Sequence, residues 1–268
     1  MNFYFYIGLF IIIISEILLF ARVKWISIFF TPLVWTGYVL FIDGIVFKIK
    51  KESWIMSRRK TFLLMIPLSA VFWYIFEFFN LFIKNWRYEG LPVFWITAIG
   101  MTWAFATIGP GILETRDLLK SIGVLKLSTK KFEIPRIILY ILIVIGVGCL
   151  VSILITPPKI GRYLGIPLWL GFFLLFDSIN YMKGHKSIFK EWGNGDLQNF
   201  FCLLISGLIC GFLWEFWNYW AAARWIYQVP YLTDPKIFEM PLFGFLGFPA
   251  LALEYYALYS FVLKWRKE

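Results

Sequence analysis

Charge is scarce in this chain, and cysteine and histidine scarcer still. Only 16% of the 268 residues are Asp, Glu, Lys or Arg, while 60% are apolar and 22% aromatic. With a mean hydropathy of +0.75, that scarcity excludes an ordinary soluble domain, because such a surface needs lipid around it. The three cysteines, Cys149, Cys202 and Cys210, all fall inside apolar runs, which excludes a disulfide framework and reads as burial of small apolar side chains. The single histidine, His185, has no thiol or carboxylate at ligand spacing, so no metal site is expected. Asp-rich clusters able to hold magnesium and pyrophosphate are also missing, which argues against metal-dependent prenyl transfer, and no cofactor is implied. Residues 1–21 lack the basic start and small-residue cleavage pattern of a signal peptide and are expected to remain as a helix.

What the chain has instead is long apolar runs. Crossing a bilayer core takes about 20 residues at roughly 1.5 Å each, and eight runs qualify: 2–21, 25–47, 61–83, 94–113, 135–155, 164–182, 199–221 and 241–263. The fold class expected is therefore an all-α polytopic membrane protein of about eight transmembrane helices. The formal charge of +10 follows from topology rather than from nucleic-acid binding. Lys48, Lys50, Lys51, Arg58, Arg59 and Lys60, six more between 116 and 136, then Lys183, Lys186, Lys190, Lys264, Arg266 and Lys267 place 18 cations on one side, against 8 on the other. The positive-inside rule then puts both termini in the cytoplasm of a multi-pass cell-membrane protein.

The chain also repeats itself. Pro32-Leu33-Val34-Trp35 leads to Asp43 as Pro167-Leu168-Trp169 leads to Asp177. Trp73 precedes Glu77-Phe78-Phe79-Asn80, and Trp214 precedes Glu215-Phe216-Trp217-Asn218. Each Glu-x-x-Asn is followed by a Trp-x-Tyr (Trp86 and Tyr88; Trp225 and Tyr227), then by Pro92 or Pro230, then by a Gly- and Pro-bearing helix with a glutamate, Glu114 or Glu254. Five ordered matches predict two parallel four-helix repeats, residues 1–134 and 135–268, in a single membrane domain.

A carboxylate inside a membrane helix costs roughly 2.5–3.5 kcal/mol on insertion scales, so it is expected to face the bundle interior and to serve there. Glu77 and Asn80, like Glu215 and Asn218, lie one turn apart on one helical face, where each amide can bond the neighbouring acid or a shared ligand. The two pairs are expected to meet near the pseudo-twofold axis. Asp43, Asp177, Glu114 and Glu254 form a second layer, and Pro110 and Pro249 are able to break their helices and line a cavity. For Asp43 and Asp177 a purely structural interhelical role competes with ligand binding. Trp86, Tyr88, Trp225 and Tyr227 fall where aromatic belts form, and their repeated order makes them substrate-binding candidates. Glu16, without a counterpart, reads as structural.

The order of acidic residue, Trp-x-Tyr, proline and Gly/Pro-rich helix with a glutamate resembles the membrane-embedded lycopene cyclases of the heterodimeric and fused type and the related carotenoid hydratases. The similarity covers residues 70–119 and 208–262. Where that family has Pro-Leu-Glu-Glu, this chain reads Pro110-Gly111-Ile112-Leu113-Glu114 and Pro249-Ala250-Leu251-Ala252-Leu253-Glu254. The resemblance implies an acid role for Glu77, Glu215, Glu114 and Glu254 in carotenoid-type cyclisation, an isomerase reaction, or hydration. Protonating an alkene wants a carboxylic acid in an apolar pocket and aromatic faces for the cation. Two other functions stay open on the residues alone: a transporter or channel for a small solute, proton or cation, and a scaffold. Membrane lipid is the expected partner, and a lipid-like molecule the expected substrate of an enzyme.

Overall fold

A computed structural model of the chain describes residues 2–265; Arg266 and Lys267, part of the charge asymmetry, lie outside the described residues. The long helices are α1 (Phe3–Phe20), α2 (Phe30–Lys50), α3 (Arg59–Ile83), α4 (Phe94–Ser121), α5 (Arg136–Ile155), α6 (Gly165–Lys183), α7 (Gln198–Trp220) and α8 (Gly247–Val262), the last entered through a 3₁₀ turn, Leu242–Leu246. All eight are long and apolar enough to cross a membrane. Their outward residues are apolar too, as at Phe3, Phe94, Val144 and Ile155, which only lipid accommodates over so large an area. The chain is an integral, multi-pass membrane protein.

The helices alternate in direction, so one end of the bundle carries the termini and the other the α1–α2, α3–α4, α5–α6 and α7–α8 connections. Helix α1 packs on α2, α5 on α6, α2 on α4, α6 on α8, α3 on α4 and α7 on α8. Between these groups α4 lies broadly along α7, while α8 touches α3 and α4 more narrowly. Helices α1 and α5 are outer staves, and α2 is the most enclosed. Close approach needs small residues: a Cβ at Gly8 of α1 would run into the backbone of Gly37 and Phe41 on α2. At the centre Trp35 of α2 packs its ring 4.8 Å from Trp214 and 5.2 Å from Trp217 of α7.

Several sequence expectations are corrected here. Helix α4 runs to Ser121, eight residues past the expected 113, and the second span begins as a separate turn, Lys24–Ile28. Neither proline breaks its helix. Pro110 sits inside an uninterrupted α4, and Pro249 is the third residue of α8, where the amide it lacks would have had no intrahelical partner. Both Trp-x-Tyr segments are strands, β1 (Trp86–Glu89) and β2 (Arg224–Tyr227), not belt residues at helix ends. Arg116, counted as a loop cation, is buried within α4, where Nε lies 2.7 Å from Asp117 and Nη1 donates to Asn199 Oδ1 at 3.0 Å.

Candidate functional site: an aromatic cavity beneath a two-stranded ribbon

Strands β1 and β2 pair antiparallel across the end of the bundle opposite the termini, with Trp86 opposite Tyr227 and Tyr88 opposite Trp225. Each tryptophan therefore faces the tyrosine of the other segment. Single strands of four residues have no stability of their own; these are pinned from below. Asn80 accepts the amides of Asn85 (2.9 Å) and Trp86 (3.3 Å) and donates to the Trp86 carbonyl (2.8 Å). Asn218 likewise accepts from Trp225 N and donates to the Trp225 carbonyl, both at 2.9 Å. The asparagines thus spend their amides on strand backbone rather than on the neighbouring glutamates or a ligand.

The glutamates hold the strand side chains. Glu77 Oε1 accepts from Trp73 Nε1 (2.8 Å), Trp86 Nε1 (3.0 Å) and the Tyr88 hydroxyl (2.5 Å). Glu215 Oε1 accepts from Trp225 Nε1 (3.2 Å) and the Tyr227 hydroxyl (2.8 Å), the same indole N–H donating also to that hydroxyl (2.9 Å), while Glu215 Oε2 is buried without a partner among the described residues. Burial first, and the adjacent carboxylate second, hold both tyrosine hydroxyls well above the usual phenol range, so both stay protonated. The glutamates do not bond each other across the axis; each serves its own strand. Glu16, read as structural, accepts from Trp217 Nε1 at 3.2 Å.

Below the ribbon lies a cavity of about 390 Å³, within the range of small-molecule sites. Trp86, Tyr88, Trp225 and Tyr227 form its roof; Trp73, Phe105, Trp169, Trp214 and Phe248 line it from α3, α4, α6, α7 and α8. Neither Glu77 nor Glu215 reaches the wall: each stands behind the indole and phenol it holds. Among the described residues the indole N–H groups of Trp169 and Trp214 donate no hydrogen bond to the protein. Trp169, seen in the sequence only as part of the repeat, is thus a lining residue that the motif signalled without revealing its use.

The cavity exists because the two matched segments fold differently. Twenty residues of α4 precede Glu114, but only seven of α8 precede Glu254. Chain that winds into helix in the first half is, in the second, the irregular stretch 228–241 with a small hairpin pairing Lys236–Ile237 with Met240–Pro241. Val229, Tyr231, Leu232, Met240 and Pro241 of that stretch line the space left by the missing helical turns. Prolines 230, 235 and 241 disfavour helix there.

The remaining candidates lie elsewhere. Asp43 and Asp177 are fully buried loop clamps near the termini end. Asp43 accepts from Ser53 Oγ (3.0 Å) and Ile55 N (2.9 Å), and Asp177 from Ser187 Oγ (2.9 Å), Ile188 N (3.0 Å) and Phe189 N (2.9 Å). The serine stands ten residues after the aspartate in both cases, a spacing visible in the sequence. Glu114 and Glu254 are also fully buried and line no part of the cavity; among the described residues their carboxyl oxygens make no well-formed hydrogen bond, though the Phe172 and Phe173 amides stand near Glu254. Glu114 is set among Asp43, Asp117 and Arg58. Comparison of the chain with protein-family models, curated proteins and solved structures finds no match in any of the three.

Proposed function

We propose that this protein is an intramembrane enzyme that performs acid–base chemistry, of the double-bond isomerisation, cyclisation or hydration type, on a polyene or other isoprenoid lipid. The observation that carries the reading is the coupling of a buried glutamate, through a phenol, to an apolar cavity walled by indole rings. An unpartnered carboxylate oxygen in an apolar interior is costly, and a proton on Glu215 lowers that cost by removing the charge. In the proposed step the protonated Glu215 turns its O–H to the phenol oxygen, the Tyr227 hydroxyl swings from Glu215 Oε1 toward the cavity, and Tyr227 gives its proton to an alkene carbon as it takes the one from Glu215. The carbocation formed is stabilised by the faces of the surrounding tryptophans. Glu215, now a carboxylate, keeps the Trp225 indole as a donor. Loss of a proton from the adjacent carbon through Tyr227 to Glu215 completes an isomerisation or ring closure; capture of the cation by water, with water's proton passing through Tyr227 to Glu215, gives the hydration product instead. Tyr227 and Tyr88, which touch the cavity, are the catalytic residues in this scheme, and Glu215 and Glu77 act through them.

We further infer that the chain is a parallel duplication with both termini cytoplasmic. The matched helix pairings, the exchange-symmetric register of β1 on β2, and the excess of loop cations on the side of the termini, which survives the removal of Arg116, support it. The resemblance to lycopene cyclases agrees with the acid–base reading, although Glu114 and Glu254 line no part of the cavity. The test is turnover of polyene lipids from a membrane extract, followed by absorbance and mass. Tyr227→Phe and Glu215→Gln should each lower the rate by roughly 10²–10⁴ while leaving the folded yield intact. Full activity in both variants would remove the acid-catalyst assignment.

A further inference from the structure

A second, smaller cavity of about 60 Å³ lies on the opposite flank of the ribbon, between α2, α4 and β2, and is lined by Pro32, Leu91, Ile96, Gly100 and Met101 among others. Thr31, Tyr88, Ala104, Phe105 and Trp225 line this cavity and the large one alike. The two spaces therefore stand back to back beneath β1 and β2. Along α4 the sequence of walls is ordered: Gly100 borders the small cavity, Ala104 both, and Ile108 the large one. Residues four apart lie on one helical face, so these three mark a line rising about 12 Å. Ala104, the smallest side chain bearing a Cβ, stands at the junction.

The large cavity also has a mouth. Among its lining residues Ile166 and Leu246 are 60% and 67% exposed, and Leu170 and Phe243 are exposed as well. They belong to α6 and to the 3₁₀ turn before α8, within membrane spans, so on this side the cavity opens toward lipid; Leu232, 56% exposed, borders it in the loop outside the spans. The opposite flank offers Leu91, also exposed, at the rim of the small cavity.

We propose that the two cavities are the wide and narrow lobes of one transverse passage, and that a linear, ring-free lipid chain threads it. The chain enters from the bilayer between α6 and the 3₁₀ turn and lays its tail past Ala104 into the narrow lobe. This places the reacting stretch of the chain against Tyr88 and Tyr227 in the roof, with the bulkier or more polar end in the wide lobe near the Trp169 and Trp214 N–H donors. The proposal deepens the enzymatic reading, naming the shape of its substrate and its route of access, and rests on that reading only for the chemistry.

The experiment is photolabelling of the full chain in phosphatidylcholine vesicles with straight-chain alcohols carrying a terminal diazirine, of ten and sixteen carbons, mapped by mass spectrometry. The longer probe is expected to label α4 around Gly100–Met101, and the shorter one only wide-lobe residues such as Leu170 and Phe243. Ala104→Trp should reduce narrow-lobe labelling by the longer probe at least tenfold and leave wide-lobe labelling unchanged. Ala104→Leu gives the same direction with a milder change, and a monodisperse elution profile establishes that either variant is folded. Undiminished narrow-lobe labelling in both variants would show that the lobes fill independently from lipid and overturn the passage. Wide-lobe labelling no stronger than that of the outward face of α1 would overturn the mouth. If the labelling follows expectation while Tyr227→Phe keeps full turnover, the passage stands and the acid chemistry falls.

Discussion

Replacing Asp177 by alanine removes the acceptor for three donors at once, the Ser187 hydroxyl and the amides of Ile188 and Phe189, at 2.9, 3.0 and 2.9 Å. The carboxylate is fully buried, so water does not replace it. A buried donor left without a partner costs roughly 1–3 kcal/mol. The serine hydroxyl can turn to another acceptor, whereas the two backbone amides are fixed, so the expected loss is about 2–6 kcal/mol. Asn keeps one oxygen and should lose about half as much. Asp43 holds one backbone amide, Ile55, and one hydroxyl, Ser53, so Asp43→Ala should cost about as much as Asp177→Asn. Polytopic proteins seldom unfold reversibly in detergent, which makes the order of apparent Tm values the sound readout. Size-exclusion chromatography after stepwise heating gives that order: Asp177→Ala lowest, the other two between it and the unaltered chain. An Asp177→Ala variant as heat-stable as the unaltered protein would refute the clamp; if that variant also lost ligand, Asp177 would return as a binding residue.

Two further outcomes can be checked. Burial, only partly offset by Asn199, Lys120 and Tyr256, raises the Glu191 carboxyl above its usual range. A raised acid contributes stability that is complete below the unfolded carboxyl range and is lost as pH rises through the folded value. Glu191→Gln should therefore gain heat stability relative to the unaltered chain near about pH 8 and lose that advantage near about pH 4; a pH-independent difference would show that Glu191 titrates alike folded and unfolded. For topology, Lys130→Cys and Lys159→Cys lie in exposed connections at opposite ends of the bundle. In intact cells a membrane-impermeant maleimide should label the second and spare the first, and the reverse pattern would invert the orientation.

The number and order of the membrane helices were decided by local composition, because any run of about 20 apolar residues is driven into lipid whatever its neighbours do. Motif order was legible too: Glu77, Asn80, Trp86 and Tyr88 form one bonded unit, as do Glu215, Asn218, Trp225 and Tyr227. How those residues share the work depended on tertiary contact. A Trp-x-Tyr segment becomes a strand only when another lies opposite to satisfy its amides, and β1 meets β2 from more than 130 residues away. The aspartates were legible as buried acids but not as clamps, since their donors come from loops that only packing brings back against the helix. The large cavity follows from where α4 and α8 begin. Near-equal spacings from Tyr88 to Glu114 and from Tyr227 to Glu254 concealed it, because spacing counts residues, whereas the cavity depends on whether those residues are wound at 1.5 Å each or laid out as irregular chain.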